Sequence, residues 1–287
     1  MQDQKFSIPC RCLITPLLVL SLLFACTDSD GPAGPDTTPE LPPANSMLIP
    51  FDDFLAAGRP EPLPASPSLF ENASARANFN FAATAIVFWN VAITVTMAVP
   101  VASFVEAFNH PIQRVEPGVW ESTYTFRPLG GVLHTAVLQA KLVSDGVEWK
   151  MTISKENSFS DFVWYTGFSN LDNSEGVWHL NLDPAAPTPF LDIDWYRNSA
   201  DSTAGITYTF VVPAAPKNGS TLSYGVTNET PYDAFYNIID AENGNSVVIE
   251  WNRTDINGRV QSENHFGDAD FRCWDTLDND LQDITCP

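Results

Sequence analysis

The stretch ANFNFAATAIVFWNVAITVTMAVPVASFV, residues Ala77–Val105, decides how the rest of this chain can fold. It contains no charged residue, and Arg76 and Glu106 bound it on either side. Its apolar side chains cover every direction of a helical wheel, and a helix of that kind lies either in lipid or inside a protein. Pro100 lacks an N–H, so we expect the helix to kink or end near Val99.

Three structures are compatible with this stretch. The pattern favours a long helix over Phe81–Val99 that is buried on all sides by a curved sheet. The length also allows a transmembrane helix, since a bilayer needs about 20 mainly apolar residues, and the β-branched residues allow a pair of strands. On the first interpretation, Asp in place of Phe88 or Trp89 would leave an unpaired buried charge and damage the fold.

Beyond this stretch, apolar and polar side chains alternate with a period of two. Val147, Trp149, Met151 and Ile153 alternate with polar residues, which is typical of a strand with one buried and one wet face. The same pattern recurs in segments 120–126, 136–142, 162–168, 178–182, 191–195, 206–212, 222–226, 235–239 and 247–251.

Short turn signals separate these segments, and several contain Asp-Gly or Asn-Gly, as at Asp145-Gly146 and Asn257-Gly258. Such dipeptides between alternating segments indicate hairpins. The sequence therefore predicts a mainly β fold with one long N-terminal helix. Its sheet is an antiparallel up-and-down meander of about ten to twelve strands, curved or closed as a barrel or half-barrel around the buried helix.

Composition divides the chain into three parts. Residues 1–25 have the basic start and short apolar core of a signal peptide. Residues 26–66 form a Pro-rich flexible tether, because they contain few large apolar side chains to bury. Residues 67–287 form a single β-rich domain, with a helical segment at 67–110 and the meander at 117–287.

The end of the signal segment reads Leu23-Phe24-Ala25-Cys26, which resembles the lipobox of bacterial lipoproteins. Phe24 is bulkier than the residue usual at that position, and a plain secretory signal is the alternative. The resemblance implies that Cys26 is lipidated and that the protein is anchored in the cell envelope. By the same resemblance, Thr27 in the position after the cysteine implies the outer membrane, on either its periplasmic or its surface face. The whole plan resembles uncharacterised envelope lipoproteins, a likeness that brings no activity with it.

Cys273 and Cys286 are the cysteines that remain once the signal segment and Cys26 are set aside. In an oxidising compartment we expect them to form a disulfide, the alternative being two free thiols. The formal charge is −21 and becomes −22 without residues 1–25. So acidic a chain is not expected to bind nucleic acid, because phosphate contacts need a basic surface.

No cofactor or metal site is predicted, since the four histidines lack ligand spacing and no phosphate loop or nucleophile elbow occurs in the sequence. Asp192 and Asp194 faintly resemble the Asp-x-Asp strand of chitinases, but the following acid of that motif is missing. The acids around Asp278 are expected to be a solvated loop. Catalytic residues are therefore not assigned, and the chain is not predicted to be an enzyme.

The tryptophans of the alternating segments, Trp149, Trp164, Trp178 and Trp195, are expected to be either the core face of the sheet or the lining of a ligand site. Three functions follow. The first is a lipid-anchored envelope lipoprotein with a non-enzymatic binding or structural role, with membrane contact through Cys26 and unidentified protein partners. The second is a carrier of an apolar ligand in a calycin-like or half-barrel pocket, and the third is a glycan-acting envelope enzyme. A cavity between helix and sheet would favour the second over the first.

Overall fold

Each strand of the sheet pairs with its neighbours in the sequence, so that the chain order and the spatial order are the same. The computed structural model describes residues 37–49, 54, 75–278 and 280–287. Within them, 14 antiparallel strands form one sheet. Their bounds are β1 Gln113–Glu116, β2 Val119–Phe126, β3 His134–Leu142, β4 Gly146–Lys155, β5 Phe159–Asn170, β6 Glu175–Asp183, β7 Ala186–Asn198, β8 Thr203–Phe210, β9 Thr221–Val226, β10 Ala234–Asp240, β11 Asn245–Trp251, β12 Gly258–Gln261, β13 Arg272–Leu277 and β14 Asp280–Ile284.

The predicted antiparallel meander is confirmed, and so is the alternation that predicted it. In β4, Trp149, Met151 and Ile153 are buried, whereas Glu148 and Lys150 are exposed. No pairing joins β1 to β14 among the described strands, so the sheet is open, as in a curved sheet or half-barrel, rather than closed as a barrel.

The sheet has 14 strands where the sequence predicts about ten to twelve, and the strands that the pattern does not predict lie at its two ends. All four residues of β1 are exposed, so this strand has no apolar alternation to read. The three strands β12, β13 and β14 are short, and acidic residues interrupt the last two. Backbone pairing with a neighbour is sufficient to hold such edge strands, and pairing leaves no trace in the side-chain pattern.

The long apolar stretch forms two helices, α1 at Ala77–Thr96 and α2 at Ala98–Ala107. A short helix, α3, lies between β12 and β13 at Glu263–Phe266. The break is at Met97, three residues before Pro100 and two residues before Val99, near where the proline predicted it. Proline cannot donate to the carbonyl four residues back and its ring crowds that carbonyl. The preceding helix therefore ends at Thr96, and Pro100 lies in the first turn of α2.

The two helices attach to opposite ends of the sheet. α1 packs against β12, β13 and β14, and α2 packs against β2. The Asp283 carboxylate of β14 accepts the Asn78 N–H at 3.1 Å, and the Asn78 side chain donates to the Cys273 carbonyl at 2.9 Å. An acceptor from a distant strand therefore caps the N-terminus of α1.

The prediction that α1 is buried on all sides is wrong. Phe79, Ala82, Ile86 and Ile93 form a buried stripe that faces the core. On the opposite side, Phe88, Val91 and Val95 are 65 %, 59 % and 66 % exposed, respectively. The absence of a polar face on a helix does not oblige the chain to cover both sides, because one apolar stripe is enough to attach it to the sheet.

The expectation for Phe88 changes with this finding, since a charge at that position would stand in water and not in the core. Trp89, its neighbour, is partly buried and packs against the core cluster.

The described part of the segment predicted as a tether packs on the apolar face of the sheet. Met47, Ile49 and Phe54 are almost fully buried there. Ser46 closes a short 3-10 turn at Ala44–Ser46 and is buried as well. These residues belong to the core, because their apolar side chains cover sheet residues that α1 and α2 leave open. Residues 1–25, Cys26, the rest of the predicted tether and the domain start at 67–74 lie outside the described residues.

Candidate functional site

The four tryptophans proposed as core or ligand face, Trp149, Trp164, Trp178 and Trp195, are all buried. Trp149, Trp178 and Trp195 lie on the apolar face at alternating strand positions. Trp164 is the extra residue of a β-bulge opposite Met151 and Thr152. The structure therefore places them in the core.

The indole N–H groups of two of these tryptophans have hydrogen-bond acceptors within the protein. The Trp149 indole N–H donates to the Ser169 hydroxyl at 3.0 Å, and the Trp178 indole N–H donates to the Ser46 hydroxyl at 3.2 Å. Phe104 of α2 packs edge-on against Trp178 with 5.3 Å between ring centroids. Side chains of the chain itself therefore occupy the place where an apolar ligand would meet Trp178.

Tyr208 of β8 holds the N-terminal segment in place. Its hydroxyl donates to the Met47 carbonyl at 3.0 Å and accepts the Ile49 N–H at 3.1 Å. At the other end of the sheet the Tyr124 hydroxyl donates to the Ser103 carbonyl of α2 at 2.6 Å. Two buried phenols thus tie both covering segments to the sheet, since each satisfies backbone groups that would otherwise be buried unpaired.

Burial sets the protonation of these groups. It raises the pKa of Tyr208 and of Tyr124 far above the ordinary value for a phenol, because the charged form cannot be solvated there. Burial also raises the pKa of the Asp283 carboxyl. The hydrogen bonds that this carboxylate accepts from the backbone N–H groups of Asn78 and Ala77 lower the pKa and offset part of that rise.

The predicted disulfide between Cys273 and Cys286 is present, with 5.1 Å between the Cα atoms. It joins β13 to the chain that follows β14, directly beside the Asp283 cap of α1. Cys26, the predicted lipidation site, is outside the described residues.

His179, Asp192 and Asp194 lie on the wet face of the sheet. His179 Nδ1 is 2.8 Å from Asp192 Oδ1, a cross-strand hydrogen bond between two side chains that are both solvent-accessible. Asp194 is exposed two residues further along β7. Within the described ranges, no group of three or more His, Cys, Asp or Glu side chains is arranged to hold a metal ion.

The exposed apolar stripe of α1, which we define as Phe88, Val91 and Val95, is the surface that the sequence interpretation missed. In the described part of the chain, α1 is the one helix long and apolar enough to cross a membrane, and only 22 % of its most apolar window is buried. The spacing of the stripe, at positions i, i+3 and i+7, indicates one helix face. The sequence carried this spacing, but it could not show that the sheet contacts the opposite face.

Comparisons of this chain with models of known protein families, with curated proteins and with solved structures gave no match.

Proposed function

We propose that this protein is a lipid-anchored, non-enzymatic protein of the cell envelope, most consistent with the outer membrane, and that it rests the exposed apolar stripe of α1 on the membrane to which Cys26 attaches it. The lipid anchor rests on the lipobox-like end of the signal segment at Cys26, and the single observation that supports the membrane contact is the stripe itself. Phe88, Val91 and Val95 stand in water on a helix whose other side is fixed to the sheet.

The lipid phase is the occupant that fits the stripe best. No charged residue lies between Arg76 and Glu106, so the helix offers nothing to attract a charged partner. The chain is also strongly acidic, which disfavours electrostatic attachment to anionic headgroups. Contact with acyl chains depends on apolar area alone, and this is what the stripe provides.

The two attachments assist one another. Transfer of a large apolar side chain from water to an apolar phase contributes about 1.5–3 kcal/mol when complete. Three partly exposed side chains therefore give only a weak contact on their own. An acylated Cys26 on the same chain keeps the helix close to the bilayer, which makes the second contact effectively intramolecular.

The carrier of an apolar ligand has less support. Its ligand would occupy the apolar face of the sheet, and Phe104, Met47 and Phe54 already occupy that face. The glycan-acting enzyme also has less support. Asp192 and Asp194 would be its catalytic carboxylates, and the Asp192 carboxylate is already bonded to His179.

The lipid anchor is tested by growing cells that express the chain with a radiolabelled fatty acid. We expect label in the wild type and none in the Cys26→Ser variant. Equal labelling of both proteins, or of neither, would remove the lipid anchor from the proposal.

The membrane contact of α1 is tested with an environment-sensitive thiol probe on the full chain reconstituted in phosphatidylcholine vesicles. The probe is placed by Val91→Cys on the stripe and, as a matched control, by Ile239→Cys, an exposed apolar position on the opposite face of the sheet. We expect a blue-shifted emission that nitroxide-labelled lipids quench at position 91 only. A blue shift that the lipids do not quench would indicate a protein partner, and water-like emission at both positions would refute the contact.

A further inference from the structure

Two aromatic rings lie flat on the outward face of the sheet, the face opposite the core. A Cβ atom on Gly205 would overlap the Tyr196 ring, and a Cβ atom on Gly225 would overlap the Phe235 ring. Gly205 and Gly225 pair with each other across β8 and β9, and both are buried although they face outward. The rings therefore cover the glycine backbone on the outward face, where Tyr196 remains 46 % exposed and Phe235 is half-buried.

These rings belong to one trough of about 370 Å³ that runs along the outward face from β5 to β10. Five strand spacings of about 4.8 Å give it a length of about 24 Å, that of a short extended oligomer. A third ring, Phe168, lies in the same way over Gly146 at its far end. The lining side chains that offer a ring or a polar group include Phe168, Glu175, Asp194, Tyr196, Thr207, Ser223 and Phe235.

The polar groups Asp194, Thr207 and Ser223 form the cross-strand row next to the row that holds Tyr196 and Phe235. The Thr207 hydroxyl donates to the Ser223 hydroxyl at 2.9 Å, and both hydroxyls remain able to bond a further partner. Asp194 is exposed and its carboxylate accepts hydrogen bonds. Aromatic rings beside a row of hydroxyl and carboxylate groups match a sugar ring, which has an apolar C–H face and a rim of hydroxyls.

We propose that this trough binds a neutral oligosaccharide laid across strands β5–β10. Neutral sugars are favoured over acidic ones because Asp194 and Glu175 line the trough and the whole chain carries a charge of −21. The proposal rests on the outward face alone and is independent of the lipid anchor and of the α1 stripe.

The test is a calorimetric titration of the full chain in detergent with cellohexaose, laminarihexaose and hexa-N-acetylchitohexaose as neutral probes and with hexagalacturonate as the acidic probe. We expect saturable binding of at least one neutral probe and none of hexagalacturonate. Absence of binding by all three neutral probes, or equal binding of the acidic one, would overturn the proposal.

Two variants then assign the binding to the trough. Tyr196→Ala is expected to weaken the binding about tenfold or more, while Tyr196→Phe, which keeps the ring, stays within about threefold of the wild type. Thr207→Val removes a hydroxyl without a change of shape and is expected to weaken binding even if Tyr196→Ala proves unstable.

The control is Phe108→Ala, because Phe108 and Tyr196 are both 46 % exposed and Phe108 lies outside the trough. Unchanged affinity in both Tyr196→Ala and Thr207→Val would place the binding elsewhere and refute the assignment.

Discussion

At the scale of single residues, the Tyr208 hydroxyl fastens the N-terminal segment to the sheet. Tyr208→Phe leaves the Ile49 N–H and the Met47 carbonyl buried without this partner. We expect the free energy of unfolding to fall by about 1–3 kcal/mol, measured by urea denaturation. Tyr196→Phe is the matched control, since its side chain is exposed, and should stay within about 0.5 kcal/mol. Equal effects of the two substitutions would mean that the bonds of Tyr208 do not hold the segment.

The buried phenols also make stability depend on alkaline pH. Burial raises the folded-state pKa of Tyr208 and Tyr124 above the unfolded value of about 10. As the pH rises above that value, unfolded phenols lose protons that folded ones retain, so unfolding becomes more favourable. Their contribution is complete below pH ~10 and declines above it, by up to about 1.4 kcal/mol per pH unit for each tyrosine.

Urea denaturation at pH 8, 10 and 11 measures this decline. Tyr208→Phe should be less stable than the wild type at pH 8 and should lose stability less steeply above pH ~10. Parallel curves for the two proteins would show that Tyr208 does not titrate with unfolding.

At the scale of elements, α1 has two apolar sides with different roles. Ile86 is fully buried against the core, whereas Phe88, two residues later, is largely exposed. Ile86→Asp should therefore lower the free energy of unfolding by about 3–5 kcal/mol, since it buries an unpaired charge. Phe88→Asp should change it by no more than about 1 kcal/mol.

Thermal unfolding of the two variants, followed by circular dichroism, checks this difference. The same Phe88→Asp variant should lose the vesicle contact proposed for α1. A stable Ile86→Asp protein, or an unfolded Phe88→Asp protein, would mean that the helix is rotated relative to the arrangement described here.

At the scale of the whole molecule, the Cys273–Cys286 disulfide fixes the last strand of the sheet. β14 is the edge strand and also carries Asp283, the cap of α1. The bridge closes a loop with a sequence separation of 13 residues. The double variant Cys273→Ala/Cys286→Ala should therefore lose about 3 kcal/mol of stability.

Calorimetric melting with and without reductant checks this expectation. Reductant should lower the melting temperature of the wild type and leave the double variant unchanged. If reductant affected both proteins equally, the effect could not be assigned to this disulfide.

The sequence by itself determined the central strands of the sheet, β2 to β11, and their order. Side chains at alternating positions, such as Trp149 and Met151 in β4, must point to one face, and short turns with Asp-Gly or Asn-Gly allow only neighbouring strands to pair. Core residues and meander topology follow from these local rules. The pairing of Cys273 with Cys286 followed from cysteine number and compartment, again without a tertiary argument.

Only the tertiary structure decided which apolar surfaces are covered and which are left open. Ile86 and Phe88 are both large apolar residues of the same helix. Ile86 is buried and Phe88 is exposed because only the side of α1 that carries Ile86 faces the sheet. The Tyr196 and Phe235 rings are likewise ordinary strand aromatics until the pairing of β7 with β8 and of β9 with β10 places glycines beneath them. Burial is a property of pairs of surfaces, and the partner of a surface can lie far away in the sequence, as Asp283 lies 205 residues from Asn78. Local pattern therefore determines the elements, and packing between distant segments determines the sites.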